Sequence, residues 1–201
     1  MLLAILNYET GNVKSIEHAL QRIGIEHILT NDIEELKKAD SMILPGVANA
    51  QYAMEMIHQN NLFEFIKNYQ KPLLGICLGM QILCDFSEEN QTQCLGVFPH
   101  KVIKFSRTNL KVPQMGWNTI SPNGNNLLTK EIGETEYVYY ANSFYIKPME
   151  ETTAISQYGV DISAEIQKNN FFGLQFHPEK SGKVGETILK KFIKIASEKN
   201  F

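Results

Sequence analysis

Two short segments carry residue types at spacings that suit nucleophilic catalysis. The first is Lys71-Pro-Leu-Leu-Gly-Ile-Cys-Leu-Gly-Met-Gln81, an apolar run leading into Gly75, Cys77 and Gly79 and then a helical pattern. Glycines two residues to either side of a nucleophile permit a sharp strand-to-helix turn, because a side chain there would clash. Such a turn presents the thiol at the carboxyl end of a sheet, where open α/β sheets bind ligands. It also sets the sulfur at a helix N-terminus, whose partial positive charge favours the thiolate. The second segment is Phe171-Phe-Gly-Leu-Gln-Phe-His-Pro-Glu179. A strand delivers His177 to its end, Pro178 stops further pairing, and Glu179 is placed to face the far side of the imidazole. A cysteine nucleophile needs a base, and the base needs an orienting group, which a carboxylate supplies. Each motif also has a plainer reading. Gly-x-Cys-x-Gly can be a buried packing cysteine, and His-Pro-Glu an exposed turn.

The remaining chemistry-bearing residues read as structural. No second His or Cys lies at a metal-ligand spacing near His177, so no metal is expected. His18, His27, His58 and His100 have no ligand spacing either. Cys84 and Cys94 have no neighbouring base and read as packing residues. With Cys77 they form neither an even disulfide set nor a CxxC pair, which predicts a reducing, cytoplasmic setting.

The elements that must position Cys77 and His177 follow from the hydrophobic pattern. Residues 2–6, 25–29, 41–44 and 73–76 are short apolar runs of the kind buried on both faces of a parallel sheet. Between them, Val13, Ile16, Leu20 and Ile23 recur at helical spacing up to Gly24. Asn31 and Asp32 are placed to cap a helix through Lys38, with a solvated charged face, and residues 50–57 and 62–69 are helical. This βαβαβ rhythm predicts an α/β fold: a mostly parallel central sheet flanked by helices. Beyond residue 94, segments 97–105, 137–146, 152–157, 162–167 and 171–176 are short and rich in β-branched or aromatic residues. Turn residues such as those at 121–126 separate them, which predicts an antiparallel extension of the sheet. Residues 184–196 close the chain as an amphipathic helix, with Ile188, Leu189, Phe192 and Ile195 on one face. With no repeat or linker, residues 1–201 are expected to form one domain.

Composition is that of a globular protein: 43% hydrophobic and 20% charged in 201 residues. A net charge of -3 argues against a nucleic-acid footprint. No run approaches the roughly 20 apolar residues that span a bilayer. The apolar N-terminus lacks a basic flank and a cleavage site, so it reads as a strand rather than a signal peptide.

Gly-Ile-Cys-Leu-Gly-Met-Gln, followed about a hundred residues later by Gln-Phe-His-Pro-Glu, resembles the class I glutamine amidotransferases. The resemblance covers essentially the whole chain and implies a flavodoxin-like three-layer fold. It implies Cys77 as nucleophile, His177 as general base and then acid, and Glu179 as the residue orienting His177. The substrate is then L-glutamine, and no cofactor is called for. The backbone N–H of Leu78 is one candidate donor to the oxyanion. The family places the other in Pro45-Gly46-Val47-Ala48, at Val47 or Ala48. Gly46, Gln81, Asn142, Ser143 and Phe144 match substrate-binding positions.

Three further segments resemble the glutaminase subunit of imidazole glycerol phosphate synthase: residues 7–15, residues 44–47 with Ala53-Met54, and Lys111-Val-Pro-Gln-Met-Gly-Trp-Asn118. That resemblance implies a heterodimer with a (β/α)8-barrel cyclase that receives the ammonia in histidine biosynthesis. It places Trp117, Asn118, Tyr139 and Lys180 near the subunit interface or the ammonia passage, a buried core position being the alternative for Trp117. Three residues depart from the family pattern: Ala48 replaces a glycine, and Gln114 and Asn142 each replace a histidine. These departures leave a second reading, a related glutaminase subunit supplying ammonia for amidation of a cell-surface sugar. A stand-alone γ-glutamyl hydrolase and a non-catalytic subunit are the more distant rivals. The Gly-Trp-Asn segment speaks against the first, and the complete Cys-His-Glu set against the second.

Overall fold

The computed structural model describes residues 1–8, 13–46, 48–106, 110–123, 126–130, 132–133 and 136–198. The first half alternates strand and helix in chain order. It runs β1 (Leu3–Leu6), α1 (Val13–Arg22), β2 (His27–Thr30), α2 (Ile33–Lys38), β3 (Ser41–Leu44), α3 (Ala50–Gln59), α4 (Phe63–Lys67), β4 (Leu73–Ile76) and α5 (Leu78–Ile82). Asp32 caps α2 as the sequence predicts, its carboxylate accepting from the Glu34 N–H at 2.7 Å. Gly24 ends the α1 turn with a φ of 73°.

The second half is mostly strand: β5 (Cys84–Ser87), β6 (Thr92–Gln93), β7 (Phe98–Lys104), β8 (Gln114–Pro122), β9 (Glu136–Asn142), β10 (Phe144–Ile146), β11 (Thr152–Gln157), β12 (Asp161–Lys168) and β13 (Phe171–Leu174). The chain closes with α6 (Gly182–Glu198). Among the described residues, nine strands form one sheet in the order β2-β1-β3-β4-β13-β12-β11-β8-β9. Pairing is parallel from β2 through β13 and antiparallel from β13 to β9.

Both faces of the parallel part are covered. Ala4 and Leu6 of β1 pack into one apolar cluster with α3, α4 and α5. Leu3 and Ile5 pack into the other with Ile16 and Leu20 of α1 and Ile188, Leu189 and Phe192 of α6. This is the three-layer arrangement that the continuous apolar runs predict. Among the described residues, no helix is long and apolar enough to cross a membrane.

The antiparallel region differs from expectation in two ways. Segments 97–105 and 144–146 do not extend the main sheet; β7 and β10 join β5 and β6 in a separate four-stranded sheet. Segment 137–146, expected as one strand, breaks at Ser143, and its halves lie in different sheets. The Asn142 side chain donates to Phe144 O at 2.9 Å, a local turn that takes an acceptor the β-ladder would otherwise use. Strands β5, β6 and β8 are additions to the sequence reading. The turn region 121–126 lies in part outside the described residues.

One buried acid bears on stability. Glu165 of β12 is fully buried, with one carboxylate oxygen accepting from the Thr129 hydroxyl at 2.6 Å. Burial raises its pKa from 4.5 to about 7. The folded protein therefore holds this proton more tightly than the unfolded chain. The associated stability is present below pH 4.5 and is lost as pH rises through 7. Glu165→Gln, which keeps the acceptor for Thr129, is expected to stabilise the protein at pH 8 by on the order of 3 kcal/mol and to change little at pH 4. Thermal unfolding of both proteins at the two pH values checks this; an equal difference at both would refute it.

Candidate active site

Cys77 sits where β4 ends. Its N–H donates to Leu174 O at 2.7 Å, continuing the β4–β13 ladder by one residue, and the chain then turns directly into α5. The turn puts Cys77 at φ 54°, ψ −108°, a conformation that costs a residue with a side chain. Close packing holds it there. A Cβ on Gly79 would lie 1.9 Å from Leu44 O, and a Cβ on Gly46 would lie 2.6 Å from Gly79 N. Glycine at both positions lets the end of β3 lie directly against the turn that carries the sulfur. The Tyr8 hydroxyl donates to Pro45 O and ties down the same loop.

His177 follows β13. Its N–H donates to Tyr139 O of β9 at 2.8 Å, and Pro178–Lys180 then forms a single 3₁₀ turn. Ser181 Oγ locks this turn, donating to His177 O at 2.6 Å and accepting from Tyr139 N at 3.0 Å. His177 Nδ1 lies 2.8 Å from Glu179 Oε1. The histidine is 3% exposed and the glutamate 8%, which rules out the exposed-turn reading of His-Pro-Glu. Burial alone would lower the His177 pKa. Hydrogen bonding to the Cys77 sulfur and to Glu179, with the charges of both, outweighs burial and raises it well above the ordinary histidine value. The arrangement thus favours a protonated imidazole held between the Cys77 sulfur and the Glu179 carboxylate.

Cys77 and His177 open onto a cavity of about 320 Å³, at the small end of the range for ligand pockets. Gly46, Ala48 and Leu78 line it beside the sulfur; Val47 lies outside the described residues. Gln81, Asn142, Ser143 and Phe144 also line it. Asn142 is buried, and its side chain bonds to Phe144 O, as does the Gln81 amide at 2.9 Å. Gln114, the other residue standing in for a histidine, pairs with Asn142 across β8 and β9 and is also buried.

Two residues of this region escaped the sequence reading. Glu89 reaches the cavity from the loop after β5, where one oxygen accepts from Ala50 N at 2.8 Å. Burial raises its pKa, while the Ala50 N–H and the charge of Lys104 oppose that rise. It is a carboxylate placed to meet a cationic group, and nothing in its local sequence announces it. Gln175 lies between Gln81 and Cys77. Its position two residues before His177 was the available signal, since alternate residues of an extended chain share a side.

The residues expected at a partner surface separate into two groups. Trp117 is 57% exposed, so the core alternative does not hold. It faces out from the β8–β9 ribbon with exposed Met115 and Tyr137, beside Tyr139 opposite it. The Lys180 ammonium lies over the Tyr139 ring, 5.7 Å from its centroid, and Lys180 also lines the cavity. Asn118 turns the other way: its amide donates to Gln157 O of β11 at 2.9 Å, anchoring the ribbon to the sheet.

Among the described residues, no group of three or more His, Cys, Asp or Glu is arranged to hold a metal. Cys84 and Cys94 are buried, and burial pushes both thiols up, Cys94 to about 12. They are packing residues without thiolate character.

The fold and site are those of a glutamine-hydrolysing domain. The family description for glutamine amidotransferase class-I matches residues 4–196, and the chain belongs to this family. It is 44% identical over 197 residues to the imidazole glycerol phosphate synthase subunit HisH of Bacteroides fragilis (strain YCH46), covering 97% of this chain and 100% of that one. It is also 39% identical to imidazole glycerol phosphate synthase subunit HisH 2 of Legionella pneumophila (strain Paris), covering 98% of this chain and 99% of the relative. Among solved structures, a glutamine amidotransferase superposes with a TM-score of 0.76 at 16% identity, covering 97% of this chain and 98% of that chain. PurLQS from Thermotoga maritima superposes with a TM-score of 0.71 at 19% identity, covering 96% and 97%. At those identities the two structures support the fold alone.

Proposed function

We propose that this chain is the glutaminase subunit of an imidazole glycerol phosphate synthase, a cytoplasmic enzyme of histidine biosynthesis. Residues 1–201 act as one glutaminase domain that hydrolyses L-glutamine and passes ammonia to a (β/α)8-barrel cyclase. The observation that carries this is the buried Cys77-His177-Glu179 set opening onto a cavity of amino-acid size in a chain of this family. The Cys77 thiolate attacks the amide carbon of glutamine, and the carbonyl oxygen becomes an oxyanion that takes a hydrogen bond from the backbone N–H of Leu78, with Val47 or Ala48 as the expected second donor. His177 gives its Nε2 proton to the departing nitrogen, releasing ammonia and leaving a γ-glutamyl thioester on Cys77. His177 then takes a proton from water, which attacks the thioester carbon and frees glutamate and the thiolate. Glu179 holds the imidazole in the required tautomer. Gly46, Gln81, Asn142, Ser143 and Phe144 bind the amino-acid end of glutamine, and Glu89 meets its α-ammonium.

The cyclase docks on the face bearing Trp117, Tyr139 and Lys180, with Asn118 holding the ribbon in place. A large exposed aromatic at the centre of such a face is the kind of residue on which binding energy concentrates. Trp117→Ala is expected to weaken association with the cyclase at least about tenfold without altering the folded chain; unchanged affinity by calorimetry would remove Trp117 from the interface.

The test of the whole reading is glutamine hydrolysis by the purified chain, alone and with a histidine-pathway cyclase and its acceptor. With Ala48 restricting the loop beside Cys77, activity is expected to be low alone and to rise on pairing. Full activity of the isolated chain, at the rate of the complex, would refute that regulation. Hydrolysis that responds only to a cyclase-like partner from sugar amidation would move the pathway, and no hydrolysis with any partner would overturn the reading.

A further inference from the structure

Gln175 is fully buried and makes two contacts that meet at the chemistry. Its Oε1 accepts from Gln81 Nε2 at 2.9 Å, and its Nε2 lies 3.8 Å from Cys77 Sγ. Gln81 Nε2 also donates to Phe144 O at 2.9 Å. These two acceptors use both hydrogens of the Gln81 amide, so Gln81 presents its oxygen to the cavity it lines. Neither amide can be reversed. A turned Gln81 would set its oxygen against two carbonyl oxygens, and a turned Gln175 would set its NH2 against the NH2 of Gln81. Gln175 must therefore offer an N–H to the sulfur.

We propose that Gln175 is a positioning residue for glutamine hydrolysis, steadying the Cys77 thiolate with one end of its amide and fixing Gln81 as a hydrogen-bond acceptor for substrate with the other. The proposal deepens the glutaminase reading and rests on it. An N–H aimed at an anion stabilises it over its protonated form, so Gln175 adds to what the imidazolium of His177 does. The fixed Gln81 oxygen suits an N–H donor on the amino-acid end of glutamine. The charged groups around Cys77 are His177, which Glu179 backs, and Glu89 and Lys180, which line the same cavity. Two neutral groups also meet the sulfur: the Gln175 amide, which donates to it, and Ala141 O, 3.9 Å away, which accepts from the thiol and opposes its ionisation.

The test uses two variants of the full chain and two readouts. Gln175→Met keeps the length of the side chain and removes both bonds. Gln175→Glu keeps the acceptor for Gln81 and sets a carboxylate against the sulfur. The first readout is the pH dependence of Cys77 alkylation by iodoacetamide, with Cys77→Ala reporting the background from Cys84 and Cys94. The midpoint is expected to move up by about one pH unit in Gln175→Met, an approximately tenfold slower alkylation at pH values below it, and further in Gln175→Glu. The second readout is steady-state hydrolysis with the cyclase present. KM for glutamine is expected to rise in Gln175→Met and to rise less in Gln175→Glu, which still fixes Gln81. Thermal unfolding identifies the variants that fold, and Gln175→Glu carries the test if Gln175→Met does not. A folded variant whose alkylation midpoint matches wild type overturns the proposal. Alkylation needs neither glutamine nor partner, so that failure is distinct from an absence of hydrolysis in the wild-type complex, which would sink the glutaminase reading.

Discussion

Replacing Cys77 with alanine is expected to reduce glutamine hydrolysis by the partnered protein at least about 10⁴-fold while leaving the fold intact. The expectation rests on where the residue sits. Its backbone conformation is strained, but alanine has the same Cβ and meets the same neighbours, so the turn between β4 and α5 should persist. What is lost is the sulfur, and with it the thioester route. The Leu78 N–H and the cavity remain and account for whatever residual rate is seen, as in other enzymes stripped of a nucleophile. The measurement is glutamate release by the complex over hours, together with thermal unfolding of the variant. A variant that keeps more than about one per cent of the rate would deprive Cys77 of its role. Binding of glutamine without turnover is the complementary expectation, since the wall formed by Gln81, Asn142 and Phe144 is untouched.

Glu179→Gln is expected to lower kcat by about 10²- to 10⁴-fold with little change in KM. Glu179 Oε1 accepts from His177 Nδ1 at 2.8 Å, which leaves Nε2 for the chemistry on the cavity side. A glutamine at 179 can turn its NH2 toward Nδ1, and the imidazole then carries its proton on Nε2 and cannot act as a base there. The charge matters as well. With the anion gone, burial opposes the imidazolium and only the Cys77 sulfur supports it, so the His177 pKa falls. Ammonia departure needs the protonated ring, and the falling limb of the pH–rate profile should move to lower pH. Kinetics from pH 5 to 10 and an NMR titration of the ring check both statements. An unchanged kcat would mean that Glu179 only packs the turn before α6.

What the sequence by itself determined is the local chemistry and the layers. Cys77 between Gly75 and Gly79, and His177 two residues before Glu179, are local patterns whose geometry follows from a few dihedral angles. The parallel strands β1, β3 and β4 were legible because burial on both faces leaves an unbroken apolar run. Helices α1 and α6 were legible because burial on one face leaves a 3.6-residue period. The tertiary structure alone decided which distant residues meet. Strand β13 lies beside β4, so His177 and Gln175 arrive next to Cys77 across about a hundred positions of sequence. Glu89 joins the cavity only because the loop after β5 folds over α3, and its neighbours carry no periodic signal. The break at Ser143 was likewise hidden. Residues 137–140 and 144–146 both favour extended backbone, only Asn142-Ser143 between them hints at a turn, and pairing partners assign β9 to one sheet and β10 to the other. Trp117 shows the same limit. Its spacing in β8 fits either face of the ribbon, and the neighbour that covers only one of them set it on the exposed side.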